Sequence, residues 1–113
     1  MNFNLCLYSL LFRFNRIIKF LGFFCIINSN AVISHDSRVD NFVNISLGAI
    51  IAGNVNIGRN SFVGMGSSII HNCKVGKNVL IGAGSVVLKN IPDNVVVFGN
   101  PAKIIKKNNN KIS

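Results

Sequence analysis

The apolar positions of this 113-residue chain follow a count of six over most of its length. From Leu21 the count falls on Ile27, Ile33, Val39, Ile45, Ile51, Ile57, Val63, Ile69, Val75, Ile81 and Val87, all aliphatic. The fifth place of each hexad is small: Cys25, Ala31, Ser37, Val43, Ala49, Val55, Ser61, Ser67, Cys73, Val79 and Ser85. Glycine fills the second place at Gly22, Gly58, Gly64, Gly76 and Gly82. An amphipathic helix repeats every 3.6 residues and a half-buried strand alternates, so neither produces this pattern.

One aliphatic and one small inward residue per hexad describe a short flat strand followed by a tight corner. Glycine, Asn and Asp supply the backbone angles such corners need. Three hexads close one coil of eighteen residues, so residues 21–92 hold twelve hexads, or four coils. Coils stacked as parallel strands lie about 4.8 Å apart. The expected fold is therefore all-β, a parallel β-helix. Counting backwards fails at Asn15 and Ser9, which leaves residues 1–20 as an apolar and basic N-terminal segment. Residues 93–113 form a tail after the break at Ile91-Pro92-Asp93-Asn94. In it, Val95–Phe98 reads as a strand, Gly99-Asn100-Pro101-Ala102-Lys103 as a turn, and Ile104–Lys107 as the start of a short helix.

Composition narrows the chemistry. Half the residues are hydrophobic and 13% are charged, which excludes a disordered tail. Twelve Lys and Arg against three acids give a net charge of +9. The only carboxylate side chains are Asp36, Asp40 and Asp93, too few for paired-carboxylate hydrolysis or an acidic metal site. Glu, Gln, Thr and Trp are missing while Asn occurs 18 times, which reads as a bias of coding composition. The basic residues are scattered and no nucleic-acid motif is present, so no nucleic-acid partner is expected. Cys6, Cys25 and Cys73 have neither the number nor the spacing of a disulfide framework or a zinc site. They read as buried, reduced thiols of a cytoplasmic protein. The apolar runs Leu5–Phe12 and Ile17–Ile27 are too short to span a bilayer. Arg13, Arg16 and Lys19 follow the first run, the wrong order for a signal peptide. Contact of residues 1–20 with a membrane surface is the lesser reading of that segment, packing the greater.

Histidine is the natural proton acceptor near neutral pH, and the chain has His35 and His71. His35 is followed by Asp36, and a carboxylate on one ring nitrogen fixes the tautomer. His71 has no acid close in sequence. The eighteen-residue register stacks His35, Gly53, His71 and Lys89 in one column and Leu47, Met65 and Ala83 in another. Two histidines on one column do not make a three-His metal site, so no metal is expected. A glycine one coil from a proton acceptor lets a backbone N–H come close enough to act as an oxyanion donor.

The segments Ile33-Ser34-His35-Asp36, Phe42-Val43-Asn44-Ile45-Ser46 and Ala52-Gly53-Asn54-Val55, with the Gly99-Asn100-Pro101-Ala102-Lys103 tail, carry a resemblance. Over Ile26 to Lys107 the chain resembles the hexapeptide-repeat acyltransferases, and within them the sialic-acid O-acetyltransferase and bacillosamine N-acetyltransferase group. The resemblance implies a left-handed parallel β-helix, a homotrimer, and acetyl-CoA as acyl donor. It implies transfer of acetyl to an amine or hydroxyl of a sugar, with no metal. His35 would be the general base with Asp36 behind it, and Gly53 the oxyanion donor. Asn44, Met65, Ala83 and Lys103 would meet the cofactor. The group usually has His where Asn44 stands and Pro where Leu47 stands. It also carries an N-terminal nucleotide- or sugar-binding domain, whereas residues 1–20 contain no glycine and hence no phosphate loop. The competing expectation is a truncated, inactive β-helix that serves as a scaffold or in assembly.

Overall fold

The structure, a computed structural model, describes residues 20–109 and the backbone pairing of 6–8 and 13–14. Two-residue strands alternate with four-residue corners, and each strand pairs in parallel with the strand eighteen residues on. Three flat faces result. Face A stacks Cys25–Ile27, Asn44–Ile45, Phe62–Val63 and Leu80–Ile81. Face B stacks Val32–Ile33, Ile50–Ile51, Ser68–Ile69 and Val86–Val87. Face C stacks Phe20–Leu21, Arg38–Val39, Asn56–Ile57 and Lys74–Val75. The solenoid is a left-handed parallel β-helix.

The aliphatic and small places of each hexad point inward together. Ile33, Val39, Ile45, Ile51, Val63 and Ile81 are fully buried, as are Ala31, Ala49 and Val55. Where the small residue is Ser, its hydroxyl is satisfied without water. The Ser37 hydroxyl donates to the Ala52 carbonyl at 2.9 Å and accepts from the Val55 N–H at 3.3 Å. Ser61 does the same with Gly76 and Val79, at 2.9 and 3.2 Å. A buried hydroxyl with both functions used ties adjacent coils together instead of weakening the core.

The corners turn on the fourth place of the hexad. From Phe24 to Gly84 every sixth residue has positive φ: Phe24, Asn30, Asp36, Phe42, Gly48, Asn54, Asn60, Gly66, Asn72, Asn78 and Gly84. Asn and Asp are the side chains that best tolerate this left-handed region after glycine. The glycines at the second place do a different job from the one their composition suggests. A Cβ on Gly58 would lie 2.6 Å from the backbone carbonyl carbon of Gly76 in the next coil. Glycine is needed there because two backbones pass each other too closely for a side chain.

The ladder also extends past both ends of the six-residue count. Cys6–Tyr8 pairs with Cys25–Ile27, and Arg13–Phe14 with Val32–Ile33, each nineteen residues apart instead of eighteen. Tyr8 therefore matches Ile27, and Phe14 matches Ile33. The step from Phe14 to Leu21 is seven residues, which is why a strict count of six lost the pattern. At the other end Val95–Gly99 joins face A beside Leu80–Ile81, and Ala102–Lys107 pairs back on it antiparallel. The short helix expected to start at Ile104 is thus strand. Val97 and Phe98 face Ile104 and Lys103 across a hairpin, and the unpaired edge of Val95–Gly99 takes up the backbone groups that a helix would have paired internally.

The corner requirement is testable. Asn60→Val, which puts a β-branched residue at φ +60°, is expected to lower unfolding stability by about 1–2 kcal/mol in urea titration, while Asn60→Gly leaves it nearly unchanged.

Candidate functional site

The corner between faces B and C carries the residues singled out for proton transfer. His35 precedes the left-handed Asp36, whose φ is +58°. The same slot in the next two coils holds Asn54 and Asn72. The backbone therefore asks for an Asx residue in this column, and the coil that carries His35 is the one where it is a carboxylate. Asp36 Oδ2 lies 3.3 Å from His35 Nδ1, with the two side chains 48% and 60% exposed. That is longer than a tight charge-assisted bond, and a pair so open to water adds little stability. What it provides is orientation: with Nδ1–H directed at Asp36, Nε2 is the acceptor nitrogen.

Gly53 lies directly behind the ring. A Cβ placed on it would stand 2.6 Å from His35 Cε1 and 2.7 Å from Nε2. Gly53 is buried although its column mates His35, His71 and Lys89 are exposed. Its φ is not in the left-handed region, so the corner does not require glycine here. The imidazole does. Backbone bonds hold the column in register: Asn54 N–H donates to the His35 carbonyl at 2.9 Å and Asn72 N–H to the Gly53 carbonyl at 3.1 Å. An Asn54 amide bond to Asn72 Oδ1 at 2.8 Å runs alongside.

Further down the same corner, Lys89 and Lys103 border a cavity of about 250 Å³, closed by Leu88, Pro92 and Ile104. Lys103 reaches it because the final hairpin folds back over the last coil. Sequence reasoning singled out Lys103, with Lys106 beside it, and Lys106 does not line this cavity. Lys89 was recognisable only as a member of the His35 column, three coils or about 14 Å from His35.

The other expected cofactor residues lie elsewhere. Leu47, Met65 and Ala83 line a groove of about 410 Å³ at the corner between faces A and B, with Phe62 and Leu80 as its apolar wall. Asn44 sits on face A between Ile26 and Phe62, half-buried, with Oδ1 shielded and without a hydrogen-bond partner. Within one chain, then, His35, Asp36 and Gly53 share a corner, Lys103 reaches only the cavity beside Lys89 three coils away, and Asn44, Met65 and Ala83 do not join them. Face B separates the two groups. Among the described residues no three metal-ligating side chains converge. Cys25 is buried, its Sγ 3.1 Å from the Asp40 carbonyl, and burial pushes the buried Cys73 thiol up from its ordinary value. Cys6 belongs to the residues whose side chains lie outside the description.

Comparison with known proteins gives a consistent picture. Residues 54–89 match the family of bacterial transferase hexapeptide repeats (six repeats). No curated protein sequence matches significantly. Among solved structures, the acetyltransferase domain of PglB from Neisseria gonorrhoeae, in complex with acetyl coenzyme A, is 30% identical, with a TM-score of 0.70 over 88% of this chain and 54% of that one. A GDP-perosamine N-acetyl transferase variant from Caulobacter crescentus, in complex with CoA and GDP-perosamine, is 26% identical with a TM-score of 0.63, covering 90% and 54%. Neisseria gonorrhoeae serine acetyltransferase is 26% identical with a TM-score of 0.77, covering 81% and 40%. The chain spans about half the length of the first two relatives.

The contact between ring and glycine makes a separate prediction. In Gly53→Ala the new methyl displaces the His35 imidazole, so the ring resonances of His35 shift in NMR spectra. The ring is exposed and turns into solvent, so stability changes by about 1 kcal/mol or less. Unshifted His35 resonances would contradict the contact.

Proposed function

We propose that this chain, a hexapeptide-repeat protein with the left-handed β-helix fold, is an acyltransferase that moves an acetyl group from acetyl-CoA to an amine or hydroxyl of a sugar. The observation that carries the reading is the His35–Asp36 pair at 3.3 Å with its ring seated on Gly53. It is supported by the acetyl-CoA complex of the PglB domain and the CoA complex of the perosamine enzyme, both acetyl transferases.

His35 Nε2 takes the proton of the acceptor hydroxyl or amine as the acceptor attacks the thioester carbonyl. The bond from acceptor to carbonyl carbon forms and the carbonyl oxygen gains the negative charge. A backbone N–H at Gly53 is the donor set to receive it. Collapse breaks the carbon–sulfur bond, and His35 returns its proton to the departing thiol. Asp36 holds Nδ1 and steadies the imidazolium between the two transfers. The acyl donor runs down the column, its pantetheine arm parallel to the axis. Lys89 and Lys103, at the far end, suit its phosphates.

Met65 and Ala83 lie a face away from this site, on the corner turned toward neighbouring copies. The outward rows of faces A and B favour such packing. Ile26, Phe62 and Leu80 are exposed on one, Ile50 on the other, and Leu47 and Met65 on the corner between them. Face C instead presents Arg38, Asn56 and Lys74. Two apolar faces meeting at an apolar corner are the shape that three prisms bury around a threefold axis. We therefore propose a homotrimer with three acyl-donor sites between prisms. Light scattering at micromolar concentration is expected to give the mass of three chains, and a monomer mass would overturn this assembly.

The reaction is tested by steady-state acetyl transfer to a panel of amino sugars, with thiol release as the signal. His35→Ala is expected to reduce the rate about 100- to 10,000-fold with little change in acetyl-CoA affinity. Asp36→Asn falls less, and His71→Ala stays near wild type. An active His35→Ala beside an inactive His71→Ala would overturn the assignment. Calorimetry that detects no acetyl-CoA binding would favour the scaffold reading instead.

A further inference from the structure

The edge between faces C and A has no part in the chemistry proposed above, yet it carries bulky residues in a left-handed backbone conformation. Its left-handed slot holds Phe24, Phe42, Asn60 and Asn78 in successive coils. The later two are the residues that the angle favours. The first two are phenylalanines at φ +57° and +61°, a region that bulky side chains rarely occupy. Fold requirements do not explain them, since Asn serves the same slot one coil away. Nor do they fill a core. Phe24 and Phe42 are 55% and 52% exposed, and their rings stack on each other at 5.5 Å with an interplanar angle of 7°. Phe23 and Phe20, also exposed, extend the aromatic surface around the first coil. Strained backbone held at an exposed site points to function.

The outward residues of the same edge turn from aromatic to cationic along the axis. The place next to the slot reads Phe23, Asn41, Arg59 and Lys77. On the adjoining face C stand Arg38, which lies over the Phe20 ring at 5.5 Å, and Lys74. The two acids nearby are engaged with the backbone. Asp40 accepts from the Asn41 N–H at 2.7 Å and Asp93 from the Lys77 N–H at 2.9 Å. The chain enters this surface at Phe20 from residues 1–19, which carry Arg13, Arg16 and Lys19 among apolar residues.

We propose that this edge is a docking surface for an anionic lipid bilayer. Phe20, Phe23, Phe24 and Phe42 enter the headgroup region, and Arg38, Arg59, Lys74 and Lys77 meet lipid phosphates and carboxylates. Aromatic rings beside basic residues on one face are the composition of interfacial binding. Basic residues near an anionic leaflet add attraction that salt weakens. Among the described residues no helix is long and apolar enough to cross a membrane. The edge lies at the far side of face A from the apolar corner assigned to the threefold axis, on the outer rim of the proposed trimer.

The test is co-sedimentation of the full chain with vesicles of phosphatidylcholine and phosphatidylserine in equal parts, against phosphatidylcholine alone. Wild type is expected to pellet with the anionic vesicles and to be released by high salt. The double variant Phe24→Asn with Phe42→Asn places a favoured residue in each left-handed slot. It is expected to lose about 10-fold or more in vesicle affinity, with a melting temperature no lower than wild type. Arg59→Ala with Lys77→Ala is expected to lose about 10-fold by removing charge without touching the slot. Wild type that stays in the supernatant overturns the proposal. So does binding carried by residues 1–19, which would leave both double variants pelleting like wild type.

Discussion

Every sixth residue must adopt a left-handed backbone conformation, and the rest of the structure depends on that. The angle bends the chain after each two-residue strand, so three corners return it to its starting face one coil higher. Because the bend recurs without drift, residues eighteen apart are stacked as hydrogen-bonded neighbours. The same constraint accounts for part of the composition. Five asparagines of the series, Asn30, Asn54, Asn60, Asn72 and Asn78, sit at positive φ, and Asn94 does so in the tail. The asparagine content that reads as coding bias is, at these positions, a conformational choice. Amide ladders such as Asn54 to Asn72 and Asn78 to Asn94 are the secondary gain.

The candidate site is built on that constraint rather than added to it. Asp36 stands where the corner calls for an Asx residue, and a carboxylate in place of an amide converts a structural residue into a partner for His35. Gly53 is set by the ring of the preceding coil. Since a column repeats only at each full coil, one prism presents its groups along a line and not around a pocket. That is the physical reason why His35 and the groove of Met65 and Ala83 occupy separate corners, and why a neighbouring copy matters to the proposed chemistry.

The three faces of the prism are unequal. Faces A and B carry mostly aliphatic or aromatic outward residues, with Asn44 and Ser68 among them, while face C carries Phe20, Arg38, Asn56 and Lys74. Arg38, Arg59, Lys74 and Lys77 lie on face C and the edge where Phe24 and Phe42 stack, while Lys89 and Lys103 border a separate cavity. One solenoid can in this way offer a surface for its own copies, a corner for chemistry and an edge for a third contact. Each is specified by residues at one place of the hexad.

From the sequence alone, the six-residue count, the inward core and the columns could all be read, because each depends only on spacing along a regular backbone. His35, Asp36 and Gly53 were legible for the same reason: adjacency and an eighteen-residue step were enough to bring them together. What lay beyond spacing needed the tertiary structure. The seven-residue step between Phe14 and Leu21 hid one more coil, since a single inserted residue shifts every later position of a count. The strand at Ala102–Lys107 was decided by an open edge on Val95–Gly99, a partner that local propensity does not see. Lys89 joined Lys103 only because the hairpin folds back over the last coil. The strain at Phe24 and Phe42 showed only once φ was known, because a letter in a sequence does not carry its backbone angle.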